Sequence, residues 1–451
     1  MTKESIRETH MDNQTYDFLA IGLGPFNLGL ACLTEPLDDL NGIFLEKNDT
    51  FNWHPGMMIE GTHLQTPFMS DLVTLADPTH PLSFLNYIKQ QGRIYSFYIK
   101  ESFFLMRQEY NQYCQWATQQ LSNIRFSTQV QQITFDENAQ LYEVTATNTR
   151  TGITSTFCTR KLVLGTGPSP YLPDAVADLT CSVNHSSSYL DNKRDLQSKP
   201  SITIVGSGQS AAEIFYDLLQ EIDAYGYQLN WVTRSPRFFP LEYSKLTLEM
   251  TSPEYVEYFY HLPQSKRDQL IAQQKQLYKG INTSLINEIY NLLYIKNLNE
   301  KVNVQLLTNN ALTHAQHNPQ SGEVTLNLHQ IEQDQHHKLT THGLVMATGY
   351  QYQLPEFLQG ISQQILWDDK GRFRVNRNYS IDKSGKTVFV QNAELHTHGF
   401  VTPDLGMAAY RNSYLIREIS GVEHYPIESR IAFQQFAAPS PIAITREVSI
   451  K

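Results

Sequence analysis

Short apolar runs that end in glycine, each followed by an amphipathic stretch, recur along the chain and set its expected architecture. The first, Tyr16-Asp-Phe-Leu-Ala-Ile21, reads as a buried parallel strand, since a strand covered on both faces is apolar throughout instead of alternating. It leads into Gly22-Leu-Gly24-Pro25-Phe-Asn27 and a small apolar helix from Leu28 to about Leu33; a second strand, Gly42-Ile-Phe-Leu-Glu46, ends in an acid. These lengths fit a βαβ unit. The pattern returns at Ile202-Thr-Ile-Val205, followed by Gly206-Ser-Gly208-Gln209-Ser210-Ala211, an amphipathic helix through Leu219 and the strand Leu229-Asn-Trp-Val-Thr233.

Between these units, residues 52–93 are rich in Pro, Gly, His and aromatics without sustained periodicity, and a loop that long inside a domain is usually functional. Residues 107–121 read as helix and 125–147 as hairpin strands; 252–298 are helical in pattern, 387–392 form a strand and 405–419 a helix. Two further strands end in glycine motifs, Gly165-Thr-Gly167 and Ala347-Thr348-Gly349. The expected fold class is α/β, with two Rossmann-like dinucleotide-binding domains, the second inserted into the first, and a small helical domain. The first domain is expected over 14–198 and 340–451, the second over 199–237 and 299–339, and the helical one over 238–298. Residues 1–13 read as a flexible arm, polar and without the apolar core of a signal peptide.

Composition narrows the function. The chain of 451 residues carries a formal net charge of −10, which leaves no basic surplus for binding a nucleic acid. Cys32, Cys114, Cys158 and Cys181 form no CxxC pair, so neither a metal site nor a redox disulfide is expected, and isolated cysteines fit a reducing, cytoplasmic setting. No apolar run reaches the roughly 18–20 residues of a membrane helix.

The chemistry lies in the glycine turns. Glycines there let the backbone approach a pyrophosphate held at the N-terminus of the following helix, where free N–H groups favour an anion. Gly22 and Gly24 fill the first two positions and Asn27 the third, normally Gly or Ala; Glu46 is placed to accept from a ribose 2′-OH. This unit is assigned to FAD. In the second unit Gly206 and Gly208 lead to Ala211, and the next strand ends in Thr233-Arg234-Ser-Pro-Arg237 without an acid. A guanidinium there suits a ribose 2′-phosphate, hence NADPH over NADH. The alternative is that Arg234 is a solvated strand-end charge.

Specific strings then resemble the siderophore-type N-hydroxylating flavin monooxygenases, the lysine and ornithine N-monooxygenases. They are Gly22-Leu-Gly24-Pro25-Phe-Asn27, Trp53-His54-Pro55-Gly56-Met57, Leu64-Gln65, Asp71-Leu72-Val73, Asp77-Pro78-Thr79, Ser83-Phe84-Leu85-Asn86-Tyr87, Gly206-Ser-Gly208-Gln209-Ser210, Ala347-Thr348-Gly349-Tyr350 and Thr397-His398-Gly399. They run in the family's order from about residue 16 to about residue 412. The resemblance implies that NADPH reduces FAD and that O2 then forms a C4a-hydroperoxyflavin, which hydroxylates the terminal nitrogen of a small primary amine. It further implies Gln65 beside the isoalloxazine, Trp53 and His54 lining the flavin site, and Asn392 near the flavin–nicotinamide contact, with Gln65 and Asn392 the catalytic pair. Thr348 and Gly349 join the cofactor set, and a homotetramer is the family's suggestion. For His54 a purely structural role is the competing reading.

Departures from the family bear on the substrate. Its amino-acid hydroxylases carry a Lys just before Asp-Leu-Val that pairs with the substrate α-carboxylate; here that residue is Ser70. A second carboxylate-side position is Leu248, which cannot stabilise a buried carboxylate. The implied substrate lacks a carboxylate: putrescine first, then cadaverine, with histamine as an alternative. Asn282 is a candidate polar contact, with Thr283 and Ser284 beside it. Lysine or ornithine stays possible if Lys245 or Lys279 has taken over the carboxylate contact. Sulfide or ketone oxygenation, and a flavin-binding protein without turnover, are the other classes.

Overall fold

A computed structural model describes residues 9–181 and 183–439. Residues 1–8 of the expected arm, and the end of the chain after 439, lie outside them. Residues 9–13 are not an arm: they belong to the strand Thr9–Tyr16, which pairs parallel with Thr154–Thr159. Backbone pairing on an open sheet edge supplies order that a polar sequence does not advertise.

Two parallel five-stranded sheets form the framework. The first has the order Val388–Val390, Leu162–Leu164, Phe18–Ile21, Gly42–Leu45, Ile124–Arg125, and its three inner strands are buried throughout. The second has the order Asn184–His185, Gly343–Met346, Ser201–Val205, Gln228–Val232, Val304–Leu307. The strand Gly343–Met346, counted with the first unit on sequence, therefore pairs in the second, against Ser201–Val205. Asn184–His185 joins it there. A short antiparallel link, Ser169–Pro170 with Tyr350–Gln351, ties the two crossings between units together.

Each first strand feeds a helix through a glycine turn, Pro25–Thr34 in one unit and Gln209–Tyr225 in the other. The longer helix buries Ala211, Ala212, Ile214, Phe215, Leu218, Leu219 and Ile222 against its sheet and ends on Gly226 at φ 74°, a left-handed terminus that glycine adopts without strain. A four-stranded sheet (Thr9–Tyr16, Thr154–Thr159, Leu141–Asn148, Thr128–Asp136) and a three-stranded antiparallel sheet (Asn310–Asn318, Glu323–Gln330, Gln335–Thr341) flank the framework. The stretch 252–298 is helical as expected, with helices Pro253–Tyr260, Gln264–Gln273 and Thr283–Lys296. Of these, Pro253–Tyr260 packs through Tyr255, Val256 and Phe259 onto Phe400, Val401 and Met407. No helix among the described residues is long and apolar enough to cross a membrane.

Candidate active site

The two glycine turns are built alike. Gly22 sits at φ 84°, and a Cβ there would stand 2.6 Å from the Gly165 carbonyl oxygen. Gly206 sits at φ 149°, and its Cβ would stand 2.2 Å from the Ala347 oxygen. Each turn thus presses on the strand-end motif beside it, which is why both need glycine. Gly24 and Gly208 are the N-caps of their helices; neither helix start has a side-chain cap, and a Cβ on Gly24 would meet nothing within 4 Å. Free N–H groups facing open space are what a pyrophosphate requires.

A cavity of about 1110 Å³ joins these features. Of the residues singled out on sequence, Gly22, Gly24, Pro25, Glu46, Trp53, His54, Gln65, Gln209, Ser210, Leu248 and Asn392 line it. Glu46 is buried, and its carboxylate accepts from Leu23 N–H (2.7 Å) and Asn48 N–H (2.8 Å), which fixes it beside the first turn. Asn392 follows the strand Val388–Val390 at φ 63°, a left-handed conformation that Asn tolerates better than most residues. His54 is also left-handed, at φ 52°, and packs edge-on against Trp53 and Tyr350. Burial, then the Arg107 charge, lowers its pKa to about 4, so His54 is neutral at physiological pH.

The remaining expected residues lie outside the lining, each for a physical reason. Asn27 is buried; its amide donates to the Gly22 carbonyl (2.6 Å) and its Oδ1 accepts from Gln391 (2.7 Å). It braces the turn in place of the usual small residue and does not face the cavity. Gly206 and Gly208 shape the second turn. Thr348 donates to the Tyr171 carbonyl, and the Gly349 carbonyl bonds His185 (3.0 Å), so both serve the crossing between units. Arg234 is exposed at its strand end, where its charge and that of Lys275, after burial, depress Lys279. Among the described residues none of these three cations has an ion-pair partner, so their charges are left to act together on an anion.

Asn282 caps the helix Thr283–Lys296 and accepts from Gln65 Nε2 at 3.1 Å, so it positions Gln65 and does not itself line the cavity. Ser70, the position expected beside the substrate, is buried behind the cavity wall, its Oγ 3.3 Å from where a Cβ on Gly406 would stand. Lys245 and Lys279 are likewise absent from the lining, whose basic residues are Lys47, Arg107, His54 and His63. Arg107 is held by Glu213 in a two-pronged pair at 2.7 and 2.9 Å, and Lys47 adjoins Glu46.

Sequence reasoning missed the network behind Gln65. Gln65 Nε2 donates toward Gln209 Oε1 (3.3 Å) and the Gly280 carbonyl (3.2 Å); Gln209 donates to Glu213 (3.0 Å), and Glu213 holds Arg107. Tyr243, equally unforeseen, donates to the Gln65 carbonyl at 2.5 Å. These polar groups therefore connect the loop 52–93 with the second glycine helix. Asp71, which opens the Asp-Leu-Val string, is structural: its buried carboxylate accepts from Val73, Thr74 and Phe84 N–H groups and the Thr74 hydroxyl. Away from the cavity, His329, Asp334 and His336 bring their donor atoms within 4.8 Å of one another on a partly exposed hairpin.

Residues 14–352 match the family model described as L-lysine 6-monooxygenase/L-ornithine 5-monooxygenase. The chain belongs to this family. It is 56% identical over 427 residues to a putrescine N-hydroxylase of Shewanella oneidensis, covering 95% of this chain and 85% of the relative. A putrescine N-hydroxylase of Acinetobacter baumannii is 48% identical over 430 residues, 95% of each chain. Among solved structures, the FAD-bound cadaverine monooxygenase of a desferrioxamine pathway in Erwinia amylovora is 61% identical with a TM-score of 0.93, covering 95% of this chain and all of the other (100%).

Proposed function

We propose that this chain is an FAD- and NADPH-dependent monooxygenase that hydroxylates one nitrogen of a small aliphatic diamine, putrescine first and cadaverine second, in hydroxamate siderophore biosynthesis. The observation that carries the reading is the cavity itself: it touches both glycine units, its apolar wall of Leu248, Leu277, Tyr278 and Phe400 with Thr251 carries no lysine or arginine, and the Arg107 of its lining is already paired with Glu213. An α-carboxylate buried there would lack a counter-charge, at a cost of several kcal/mol. The relatives named putrescine N-hydroxylase and cadaverine monooxygenase support the same substrate class.

The residues present fit both cofactors. Open space at Gly24, the uncapped helix start and the fixed Glu46 carboxylate would hold FAD; Arg234, Lys275 and Lys279 would hold the 2′-phosphate of NADPH. Bound together, the two cofactors and O2 supply the reducing equivalents and the oxygen atom that converts R–NH2 to R–NHOH, with water as the other product. The chain's own residues orient and exclude. Gln65 is held by Gln209, Gly280 and Asn282, so its amide keeps a fixed direction. Neutral His54 and the Trp53 ring wall off the same region without adding a cation. The apolar chamber favours the neutral amine, the only form with a lone pair to react. Cys32, Cys114 and Cys181 are free thiols, in keeping with a cytoplasmic enzyme, and the homo-oligomeric state belongs to the same proposal.

The test is a panel of putrescine, cadaverine, histamine, lysine and ornithine, scored for NADPH oxidation and hydroxylamine together. A diamine should give the highest kcat/KM. Lysine or ornithine as the best substrate overturns the carboxylate argument, and NADPH consumption that no amine stimulates overturns the enzyme reading.

A further inference from the structure

The acid end of the cavity has no role in the reading above. Asp404 lines the cavity on the same stretch of wall as Leu405, Pro403 and Phe400, with Tyr243 also in the lining. One carboxylate oxygen accepts from Gly406 N–H at 2.8 Å. The other has no hydrogen-bond donor among the described residues, and it is not sealed into the protein interior. Burial raises this carboxyl above its usual range, and Arg411, the cation that works against this, is itself engaged with Glu394 at 3.2 Å. The negative charge reaches Tyr243, whose phenol burial, then Asp404, pushes up to about 12. Tyr243 in turn donates to the Gln65 main-chain carbonyl, so one phenol joins the Gln65 backbone to the surroundings of Asp404.

A half-used carboxylate beside aromatic rings, whose neighbouring cation Arg411 is already paired with Glu394, is built for an ammonium brought by a ligand. Resting on the diamine reading, we propose that Asp404 is a specificity-determining residue that receives the second, non-reacting ammonium of the diamine. A diamine can keep one charge on Asp404 while the other nitrogen, neutral, faces Gln65. A ligand carrying a carboxylate at its far end meets like charge instead, so the acid selects against amino acids as well as for diamines. Gly406 is part of the device: Asp404 Oδ1 and Ser70 Oγ both lie 3.3 Å from the position of its missing Cβ, and a side chain there would press on the acid.

The experiment compares putrescine, n-butylamine and 4-aminobutyrate, equal in length and different at the far end, on the wild type and on Asp404→Asn. Flavin absorbance is the control for folding. In the wild type kcat/KM should rank putrescine above butylamine above 4-aminobutyrate. Asp404→Asn, which keeps size and shape, should cut the putrescine-to-butylamine ratio roughly thirtyfold or more through the KM for putrescine. It should also narrow the gap to 4-aminobutyrate, and Asp404→Glu should restore part of the ratio. A variant that keeps the wild-type ratio overturns the assignment alone. A wild type that accepts butylamine or 4-aminobutyrate as well as putrescine overturns it even if the variant fails to bind flavin. A wild type that hydroxylates no diamine overturns the diamine reading and this inference with it.

Discussion

Arg234 shows how a single exposed side chain can decide cofactor choice. On the proposed reading it meets the 2′-phosphate of NADPH, and its charge and that of Lys275 both act on Lys279. Arg234→Ala should reduce the preference for NADPH over NADH about tenfold, the worth of one charged hydrogen bond, and should leave NADH kinetics nearly unchanged. An unchanged preference in steady-state assays with both nucleotides would remove Arg234 from the site. Residues of this kind are legible because strand-end chemistry is local. Ser70 is the counter-example: sequence marked it as a departure, yet the side chain lies behind the wall beside Gly406, and only tertiary packing brings Asp404 into the cavity lining.

At the scale of elements, two strand–turn–helix units were readable because a backbone at positive φ admits few residues but glycine. What was not readable is which strands pair. Gly165-Thr-Gly167 and Ala347-Thr348-Gly349 look alike in sequence, but Leu162–Leu164 pairs with Phe18–Ile21 and Gly343–Met346 with Ser201–Val205. Each motif is pressed by the glycine turn of its own sheet, so the two packings share one logic. Gly22→Ala should therefore strain the left-handed turn and collide with the Gly165 carbonyl, costing at least about 1–2 kcal/mol. Purified Gly22→Ala should hold less FAD per chain and melt at a lower temperature; full flavin content at an unchanged Tm would contradict the packing described. Gly24→Ala, by contrast, meets nothing in the protein, so any loss of flavin there reports the ligand's own approach.

Across the whole molecule, polar contacts far apart in sequence hold the units together, which is why they escaped a reading of local pattern. Arg107 and Glu213 are 106 positions apart and nearly buried, at 12% and 2% side-chain exposure. Inside the fold, His54, His185, His396 and His398 are all held below the usual histidine pKa, in each case first by burial. The unfolded chain takes up these protons more readily than the native one. The stability they contribute is therefore complete above the ordinary histidine pKa, about 6.5, and is lost as pH falls toward the depressed folded values. Asp71, Asp404 and Glu394, raised by burial, act in the opposite sense at lower pH. The urea midpoint of the cofactor-free protein should fall between pH 7.5 and pH 5.5, and His398→Gln should flatten that difference. A midpoint that stays level or rises toward pH 5.5 would contradict this account of the buried histidines.

The central claim is that one cavity serves two dinucleotides and delivers oxygen to the nitrogen of a diamine. It is tested most directly by turnover under 18O2 with NADPH and putrescine or cadaverine, followed by mass spectrometry of the amine. The prediction is a mono-N-hydroxylated diamine carrying one 18O atom per product, formed in proportion to the NADPH consumed. Recovery of unmodified diamine with only peroxide formed, or a product labelled on carbon, would contradict it.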